Sequence, residues 1–181
     1  MTSTDSQSLF ARLELDHFRK RPPVSKWHPL ETGDSAMRIA TDGRWYYHNS
    51  EIRRPEMVRL FSTILRRDGD RHYLVTPVER LTIEVEDAPF VAVDVEARGT
   101  GEAQCLVFLT NVDDLVAADP DHPISLRGIE PRARPYIVVR DALEALISRP
   151  VYYRLAELAT PGPAGSFGVW SNGVFFDLET R

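Results

Sequence analysis

Two neighbouring stretches in the first half of the chain alternate apolar and polar residues. Period two is the spacing of a strand that buries one face and exposes the other. A turn at Asp87-Ala88-Pro89 separates the two stretches. The pattern therefore predicts an antiparallel meander with its apolar residues in the core. Those residues are Leu81, Ile83, Val85, Val91, Val93 and Val95.

Helical spacing indicates a helix that begins at Pro55, a residue suited to the first turn because the amide there needs no partner. Arg66 and Arg67 suit the dipole of its last turn. The predicted apolar stripe consists of Met57, Leu60, Phe61, Ile64 and Leu65. A shorter helix is predicted from Ser8 to Phe18, with Phe10, Leu13 and His17 on one side.

Two more helices are predicted in the second half. Asp141 can cap a helix that carries Leu143, Leu146 and Ile147. Pro150 begins a second helical segment, with Val151, Leu155 and Leu158 as its apolar residues. Between the halves, Cys105 to Leu109 is apolar throughout and predicts a strand covered on both faces. The polar segment from Asn111 to Pro123 is expected to form a surface loop.

Aromatic segments follow two turn pairs at opposite ends of the chain. Asp42-Gly43 precedes Arg44-Trp45-Tyr46-Tyr47, and Asn172-Gly173 precedes Val174-Phe175-Phe176. Such pairs tolerate positive φ and predict two-residue type I′ hairpins. The helices at 54–61 and 140–147 also place apolar residues at matching offsets. These features raise the hypothesis of a duplicated unit. The alternative is chance similarity, because amphipathic helices commonly match in this way, such turn pairs are common in hairpins, and the hairpin precedes the helix in one half and follows it in the other.

Composition limits the classes of function. The 181 residues are 43% hydrophobic and 27% charged, which suits a folded protein. A net charge of -5 argues against binding of nucleic acid polymers. Cys105 is the only cysteine, so the sequence contains neither an internal disulfide nor a zinc-binding cysteine cluster. No apolar run is long enough for a membrane span, so a cytoplasmic location without membrane attachment is expected.

Short motifs in a shared order resemble the bacterial family called domain of unknown function 1285. The resemblance runs from about Trp27 to Leu178. Its motifs are Met37-Arg38-Ile39, Asp42-Gly43-x-Trp45, Thr76-Pro77-Val78-Glu79, Val85-Glu86-Asp87-Ala88-Pro89-Phe90, Thr110-Asn111, His122-Pro123, Arg134-Pro135-Tyr136 and Gly168-Val169-Trp170-Ser171.

The resemblance implies an α+β fold of two small packed subdomains with a duplicated motif of antiparallel sheet and helix. It also implies a C-terminal half loosely similar to pleckstrin-homology folds. We place an N-terminal helix and arm at residues 1–24 and the two subdomains at 25–96 and 97–181. The role suggested for the family is binding of a nucleotide-like ligand at the domain interface in signalling, and no activity is established for it.

Catalytic signatures are missing from the sequence. It contains no phosphate-binding Gly-Lys-Ser/Thr loop, no Gly-x-Ser-x-Gly elbow and no His-Glu-x-x-His motif. The five histidines lack metal-ligand spacing. A group of acids could support metal-dependent catalysis but also fits a solvated strand face. These acids are Glu79, Glu84, Glu86 and Asp87. No metal or cofactor is therefore expected.

We expect a non-enzymatic regulatory or sensor protein that binds a small anionic, nucleotide-like ligand between its halves. Arginines would hold the charge, and polar or aromatic residues would hold the remainder. The candidate ligand-binding residues are Arg38, Thr76, Glu79, Asn111, Arg140, Arg149 and Trp170. The alternative is a protein-interaction module that docks a protein partner through a sheet edge or a pleckstrin-like surface. The sequence does not indicate the oligomeric state.

Overall fold

The computed structural model describes residues 8–16, 21–128, 132–163 and 165–179. Within these residues the helices are α1 (Leu9–Asp16), α2 (Pro55–Thr63) and α3 (Arg149–Glu157). The first sheet contains β1 (Glu31–Ile39), β2 (Trp45–Tyr47), β3 (Ser50–Glu51), β4 (Leu65–Asp68), β5 (Arg71–Val75) and β6 (Glu79–Val85). The second contains β7 (Phe90–Arg98), β8 (Cys105–Thr110), β9 (Leu115–Ala117), β10 (Ile124–Arg127), β11 (Arg134–Arg140) and β12 (Leu143–Ile147). A small third sheet contains β13 (Thr160–Pro161), β14 (Phe167–Ser171) and β15 (Val174–Asp177).

The two large sheets share one topology. Their strand orders are β3-β2-β1-β6-β5-β4 and β10-β11-β12-β7-β8-β9. When the second order is read backwards, each strand is the counterpart of the strand six places earlier in the chain. In each sheet the first and last strands are parallel neighbours at the centre, and the other pairs are antiparallel. This repeat confirms the predicted α+β fold with a duplicated motif, and the curled second sheet followed by α3 is compatible with a pleckstrin-homology-like half.

The chain passes from the first sheet to the second between Val85 and Phe90. The predicted division lay between residues 96 and 97. Alternation in β6 and β7 indicated one meander, but these two strands belong to different sheets. Asp87-Ala88-Pro89 is therefore the connection between the halves and not a hairpin turn.

A bulge changes which residues of β7 are buried. The pairing of β7 with β8 shifts between Ala92 and Asp94. Val91 and Val95 are buried as predicted, but Val93 is 47% exposed and Ala92 is fully buried. An extra residue in one strand reverses the side-chain alternation beyond it. The predicted burial of Val93 is therefore wrong.

The segment predicted as a helix after Asp141 is strand β12. Asp141 and Ala142 both have positive φ, of 43° and 62°, and form the tight turn between β11 and β12. Leu143, Ala145 and Ile147 are buried at period two. Leu143, Leu146 and Ile147 fit helical spacing equally well, so periodicity over five residues could not distinguish the two structures. The helix of this region begins after β12, at Arg149, as predicted from Pro150, and it buries Val151 and Leu155.

Helix α2 begins at Pro55 but ends sooner than predicted. It stops at Thr63, and Arg66 and Arg67 lie in β4. Met57 and Leu60 are exposed to 39% and 64%, so the predicted apolar stripe is wrong at these positions. Phe61 and Ile64 pack against the core as predicted, and Val58, which was not predicted, packs there too.

The two aromatic hairpins have different turns. Asn172 and Gly173 both have positive φ and connect the paired residues Ser171 and Val174, as a type I′ turn requires. In the first hairpin only Gly43 has positive φ, and its amide donates to Ala40 O at 2.9 Å. That geometry is a three-residue turn with a bulge, so the predicted two-residue turn is wrong there. The repeat lies in the large sheets, and the second hairpin belongs to the third sheet.

Strand β8 is covered on both faces, as predicted. Leu106 and Phe108 face the main core, and Val107 packs with Leu9 and Phe10 of α1. The predicted loop from Asn111 to Pro123 contains β9, whose Leu115 and Val116 are buried. The loop prediction is therefore wrong in this segment. In the predicted helix from Ser8 to Phe18, residues 17 and 18 lie outside the described residues, as do residues 1–7, 19 and 20 of the predicted N-terminal segment.

Candidate functional site

The two halves meet along a seam formed by the first sheet and α2 on one side and the second sheet on the other. Asn111 connects them through its side chain. Its Oδ1 accepts from the amide of Val91 at 2.9 Å, and its Nδ2 donates to Gly43 O at 3.1 Å. Trp45 and Phe61 from the first half pack in the same core cluster as Phe90 from the second.

Charged residues close the seam on another side. Arg140 pairs with Asp114 and donates from Nη2 to Ser62 O at 2.7 Å, near the C-terminal end of α2. Burial lowers the pKa of Arg140 to about 10. Arg59 lies 2.6 Å from Asp113, and Arg67 lies 3.6 Å from Glu144. These contacts join the halves directly and occupy the position where a large ligand was expected.

A cavity of about 180 Å³ remains at the seam, and we call it the seam cavity. Trp45 and Asn111 line it, with the N-terminal part of α2 beside them. The side chain of Trp45 is fully buried and stacks on Phe61 at 6.5 Å between ring centroids. Its Nε1 has no hydrogen-bond partner within the described part of the chain. Buried polar groups in native proteins are normally paired, so an indole N–H without a partner indicates a missing acceptor.

Hydrogen-bond donors and positive charge dominate the polar lining of the seam cavity. Arg44 and Arg53 line it and have side chains that are 60% and 86% exposed. Glu51 is its one acidic lining residue and lies 4.0 Å and 3.9 Å from these two guanidinium groups. Exposed ion pairs at such distances are weak. Both arginines therefore retain donors for an incoming acceptor.

The first turn of α2 adds to this character. Pro55 and Val58 line the seam cavity, and no side chain caps the helix at Arg54. An uncapped N-terminus presents the positive end of the helix dipole and attracts anions. The arrangement can therefore receive a small anionic group, with the rest of a larger ligand extending towards solvent. Binding sites for whole drug-sized ligands are usually about 300–1,000 Å³, so a nucleotide would not fit inside.

Arg38 lies away from the seam cavity. It pairs with Glu86 and stacks over Tyr46 at 4.4 Å from the ring centre. Glu86 also accepts from the amide of Thr41 at 2.9 Å, and this bond, followed by the contact with Arg38, lowers the pKa of Glu86. These contacts attach the first hairpin to the connection between the halves.

Thr76 and Glu79 belong to the turn between β5 and β6. The Thr76 amide donates to Glu79 O at 2.9 Å, and the Glu79 amide donates to Thr76 Oγ1 at 3.2 Å. Trp170 packs edge-to-face on Phe175, and its carbonyl accepts from Gln104 at 2.8 Å. Arg149 is exposed at the start of α3. Of the seven predicted ligand-binding residues, Asn111 and Arg140 lie at the seam, and Asn111 alone lines the seam cavity.

The acids considered for metal-dependent catalysis have other partners or lie apart. Asp87 accepts from Tyr136 Oη at 2.8 Å and pairs with Arg134 at 2.8 Å. Burial and this hydrogen bond raise the pKa of Tyr136 to about 12. Among the described residues, no group of three or more His, Cys, Asp or Glu side chains could hold a metal ion. Within the same residues, no helix is long and apolar enough to cross a membrane.

Trp45, Arg44 and Arg53 line the seam cavity but were not among the predicted ligand-binding residues. Trp45 is buried in the core. Its missing hydrogen bond depends on the three-dimensional surroundings of one atom. Pro55 was the sequence signal for the position of the cavity, because it fixes the start of a helix beside an aromatic hairpin.

Two family models match consecutive parts of the chain. Residues 22–88 match the N-terminal domain described as "Domain of unknown function (DUF1285)", and residues 89–178 match the C-terminal domain described as "Protein of unknown function (DUF1285)". The boundary between the matches lies in the connection between the two large sheets. No curated protein matches the chain.

Two solved structures are similar to this fold. The crystal structure of a DUF1285 family protein from Silicibacter pomeroyi DSS-3 is 48% identical, covers 97% of this chain and 96% of its own, and has a TM-score of 0.84. A DUF1285 family protein from Shewanella baltica OS155 is 25% identical, covers 68% of this chain and 91% of its own, and has a TM-score of 0.55.

Proposed function

Since the chain belongs to the DUF1285 family, whose descriptions give no function, we propose from its geometry that it is a non-enzymatic regulatory or sensor protein. Its ligand carries a small anionic group that binds in the seam cavity. The buried Trp45 Nε1, which has no acceptor among the described residues, is the observation that carries the proposal.

The chemistry of the cavity supports an anion over a neutral ligand. A carboxylate or phosphate oxygen can accept from Trp45 Nε1, and Arg44 and Arg53 can donate to the other oxygens. The uncapped start of α2 favours the same charge. The expected nucleotide-like ligand is narrowed to one whose phosphate or carboxylate enters the cavity while its larger part remains outside.

The position of the cavity supports the proposed regulatory role. Trp45 and the start of α2 belong to the first half, whereas Asn111 belongs to the second. A ligand that contacts both halves stabilises their packed arrangement over any arrangement in which they separate. Binding would thus report the ligand concentration to a partner that distinguishes the two states.

The test uses inorganic phosphate and acetate as probes, with chloride at matched ionic strength as the reference. We expect a rise in melting temperature and a calorimetric binding signal at about 10 mM phosphate or acetate. Trp45→Phe keeps an aromatic ring at this position but removes the indole N–H donor, and it should weaken anion binding about tenfold or more. Arg53→Gln should also weaken it, whereas Arg149→Gln, an exposed arginine elsewhere, should not.

Two results would contradict the proposal. One is stabilisation by phosphate that does not exceed that by chloride. The other is equal affinity of the wild type and Trp45→Phe, because the donor would then have no role.

Docking of a partner through a sheet edge is the weaker proposal, because most edges are short or covered. Strand β3 has two residues, and β9 lies against α1. Arg66 of β4 donates to the carbonyl of Val24 at 3.2 Å and to that of Trp27 at 2.8 Å, which places the segment before β1 along this edge. Short and covered edges are the usual protection against strand addition.

A further inference from the structure

Strand β1 contains a bulge that opens the centre of the first sheet. Asp34 pairs with Thr82 and Arg38 with Glu84, so four steps along β1 match two steps along β6. Side chains hold this geometry. Asp34 Oδ1 accepts from the Ala36 amide at 3.0 Å, and Ser35 Oγ donates to Thr82 O at 2.7 Å. The bulge is therefore a built feature, and bulges often lie beside functional sites.

A cavity of about 610 Å³ lies at this bulge, and we call it the bulge cavity. Its volume is within the usual range for small-molecule sites. Three of its lining residues have positive φ although none is glycine: Ala36, His48 and Asn49. His48 and Asn49 form the two-residue turn between the paired residues Tyr47 and Ser50, and Ala36 lies within the bulge. None of the residues that line the seam cavity lines the bulge cavity.

The charged residues that line the bulge cavity are Asp34, Arg38, Asp70, Arg71 and Glu84, and Asp70 lies 3.9 Å from Arg67. Arg38 is paired with Glu86, and the carboxylate of Asp34 accepts from the Ala36 amide within the bulge. Glu84 and Arg71, in contrast, have no ion-pair partner among the described residues. The paired ladder between β5 and β6 ends at His72 and Ile83. Arg71 and Glu84 are the next residues on these strands, so they are neighbours that do not pair.

Glu84 and Arg71 lie on one face of the sheet. Both are exposed, and they occupy opposite positions on β5 and β6 beyond the pair His72 and Ile83. The side chains of His72 and Ile83 lie on the other face, because side chains alternate along a strand. Glu84 and Arg71 therefore offer a carboxylate and a guanidinium group side by side on the face opposite the core.

We propose that the bulge cavity binds a small zwitterion of the free amino acid type. The ligand ammonium pairs with Glu84, and its carboxylate pairs with Arg71. A simple anion or cation would satisfy one of the two charges and leave the other unpaired. This inference is independent of the seam cavity and its anion.

The experiment titrates the full chain with free amino acids one at a time and follows binding by calorimetry and by the backbone amide NMR signals of Arg71 and Glu84. For any amino acid that binds, the N-acetyl form and the carboxamide form are tested next, because each removes one ligand charge. We expect each of these two forms to bind at least about tenfold more weakly than the parent amino acid. Glu84→Gln and Arg71→Gln should each weaken the parent amino acid by a similar factor.

Matched controls separate this site from the rest of the surface. Glu157→Gln changes an exposed acid on α3 and should leave the affinity unchanged. Phosphate that occupies the seam cavity should not displace the amino acid. The proposal is overturned if no amino acid binds at about 10 mM, or if the N-acetyl and carboxamide forms bind as well as the parent. It is equally overturned if Glu84→Gln and Arg71→Gln have no effect on affinity.

Discussion

Asn111 holds Gly43 across the seam, with its Nδ2 3.1 Å from the Gly43 carbonyl oxygen. The same side chain accepts from the Val91 amide at 2.9 Å. Asn111→Ala removes both bonds and leaves partly buried backbone groups unpaired, so we expect a loss of about 2–3 kcal/mol in the free energy of unfolding. Urea denaturation measures this loss. The control is Ser25→Ala, because Ser25 is an exposed polar residue in the segment before β1. A loss no larger than that of the control would show that the bridge is energetically unimportant.

Two glycine substitutions should differ because one glycine is crowded and the other is not. Gly43 and Gly173 have φ of 84° and 77°. A Cβ on Gly43 would lie 2.7 Å from Asn111 Nδ2 and 2.9 Å from Val91 Cγ2, whereas one on Gly173 would meet nothing within 4 Å. We expect Gly173→Ala to cost about 1 kcal/mol from its backbone alone and Gly43→Ala to cost at least about 2 kcal/mol. Thermal or urea unfolding compares them, and equal costs would contradict the close packing at Gly43.

Buried and exposed ion pairs should respond differently to loss of their arginine. Arg140 and Asp114 each have side chains only 12% exposed, whereas Arg154 and Asp94 are 47% and 45% exposed. Arg140→Leu leaves Asp114 with Arg21 alone and removes the donor to Ser62 O. It should destabilise the fold by about 3–5 kcal/mol. Arg154→Leu should cost about 1 kcal/mol or less. Similar losses in denaturation experiments would argue against the importance of Arg140 at the seam.

His72 should make the fold sensitive to mild acid. Burial, followed by the charge of Arg67, lowers its pKa below the ordinary 6.5, while Glu144 opposes the shift. Because the unfolded chain binds this proton at higher pH, stability should fall as the pH drops through 6.5 and stop falling below the folded pKa. Between about pH 7.5 and about pH 5.5, the urea midpoint of His72→Gln should decrease less than that of the wild type when both are measured at the same salt concentration. His28→Gln, an exposed histidine, should match the wild type. An unchanged decrease in His72→Gln would assign the acid sensitivity to other groups.

Local sequence signals predicted elements well where one physical cause dominated. Pro55 and Pro150 marked helix starts, since proline needs no amide partner there, and Asn172-Gly173 marked a type I′ turn. The uniformly apolar Cys105–Leu109 indicated a doubly covered strand. In these cases the deciding property lies within a few residues.

Errors occurred where long-range pairing decided the outcome. Leu143, Leu146 and Ile147 suit either a helix or a buried strand, and pairing of β12 with β7 selects the strand. Val93 is exposed because of a bulge in β7, and this bulge is defined only by the pairing of β7 with β8. The seam cavity could not be predicted from the sequence for a similar reason. Trp45 and Asn111 are distant in sequence, and their contacts depend on the packing of two sheets.

The parallel pair at the centre of each large sheet has a consequence for folding during synthesis. Glu31 pairs with Glu79, and Phe90 pairs with Ala145. In each half the sheet can therefore be completed only when the last strand pairs with the first. Pairing of strands that are distant in sequence is slow. The N-terminal half can complete its sheet while the ribosome is still making the second half. A half interrupted before its sixth strand would leave its first strand paired on one side only, with the other edge open to pairing with other chains.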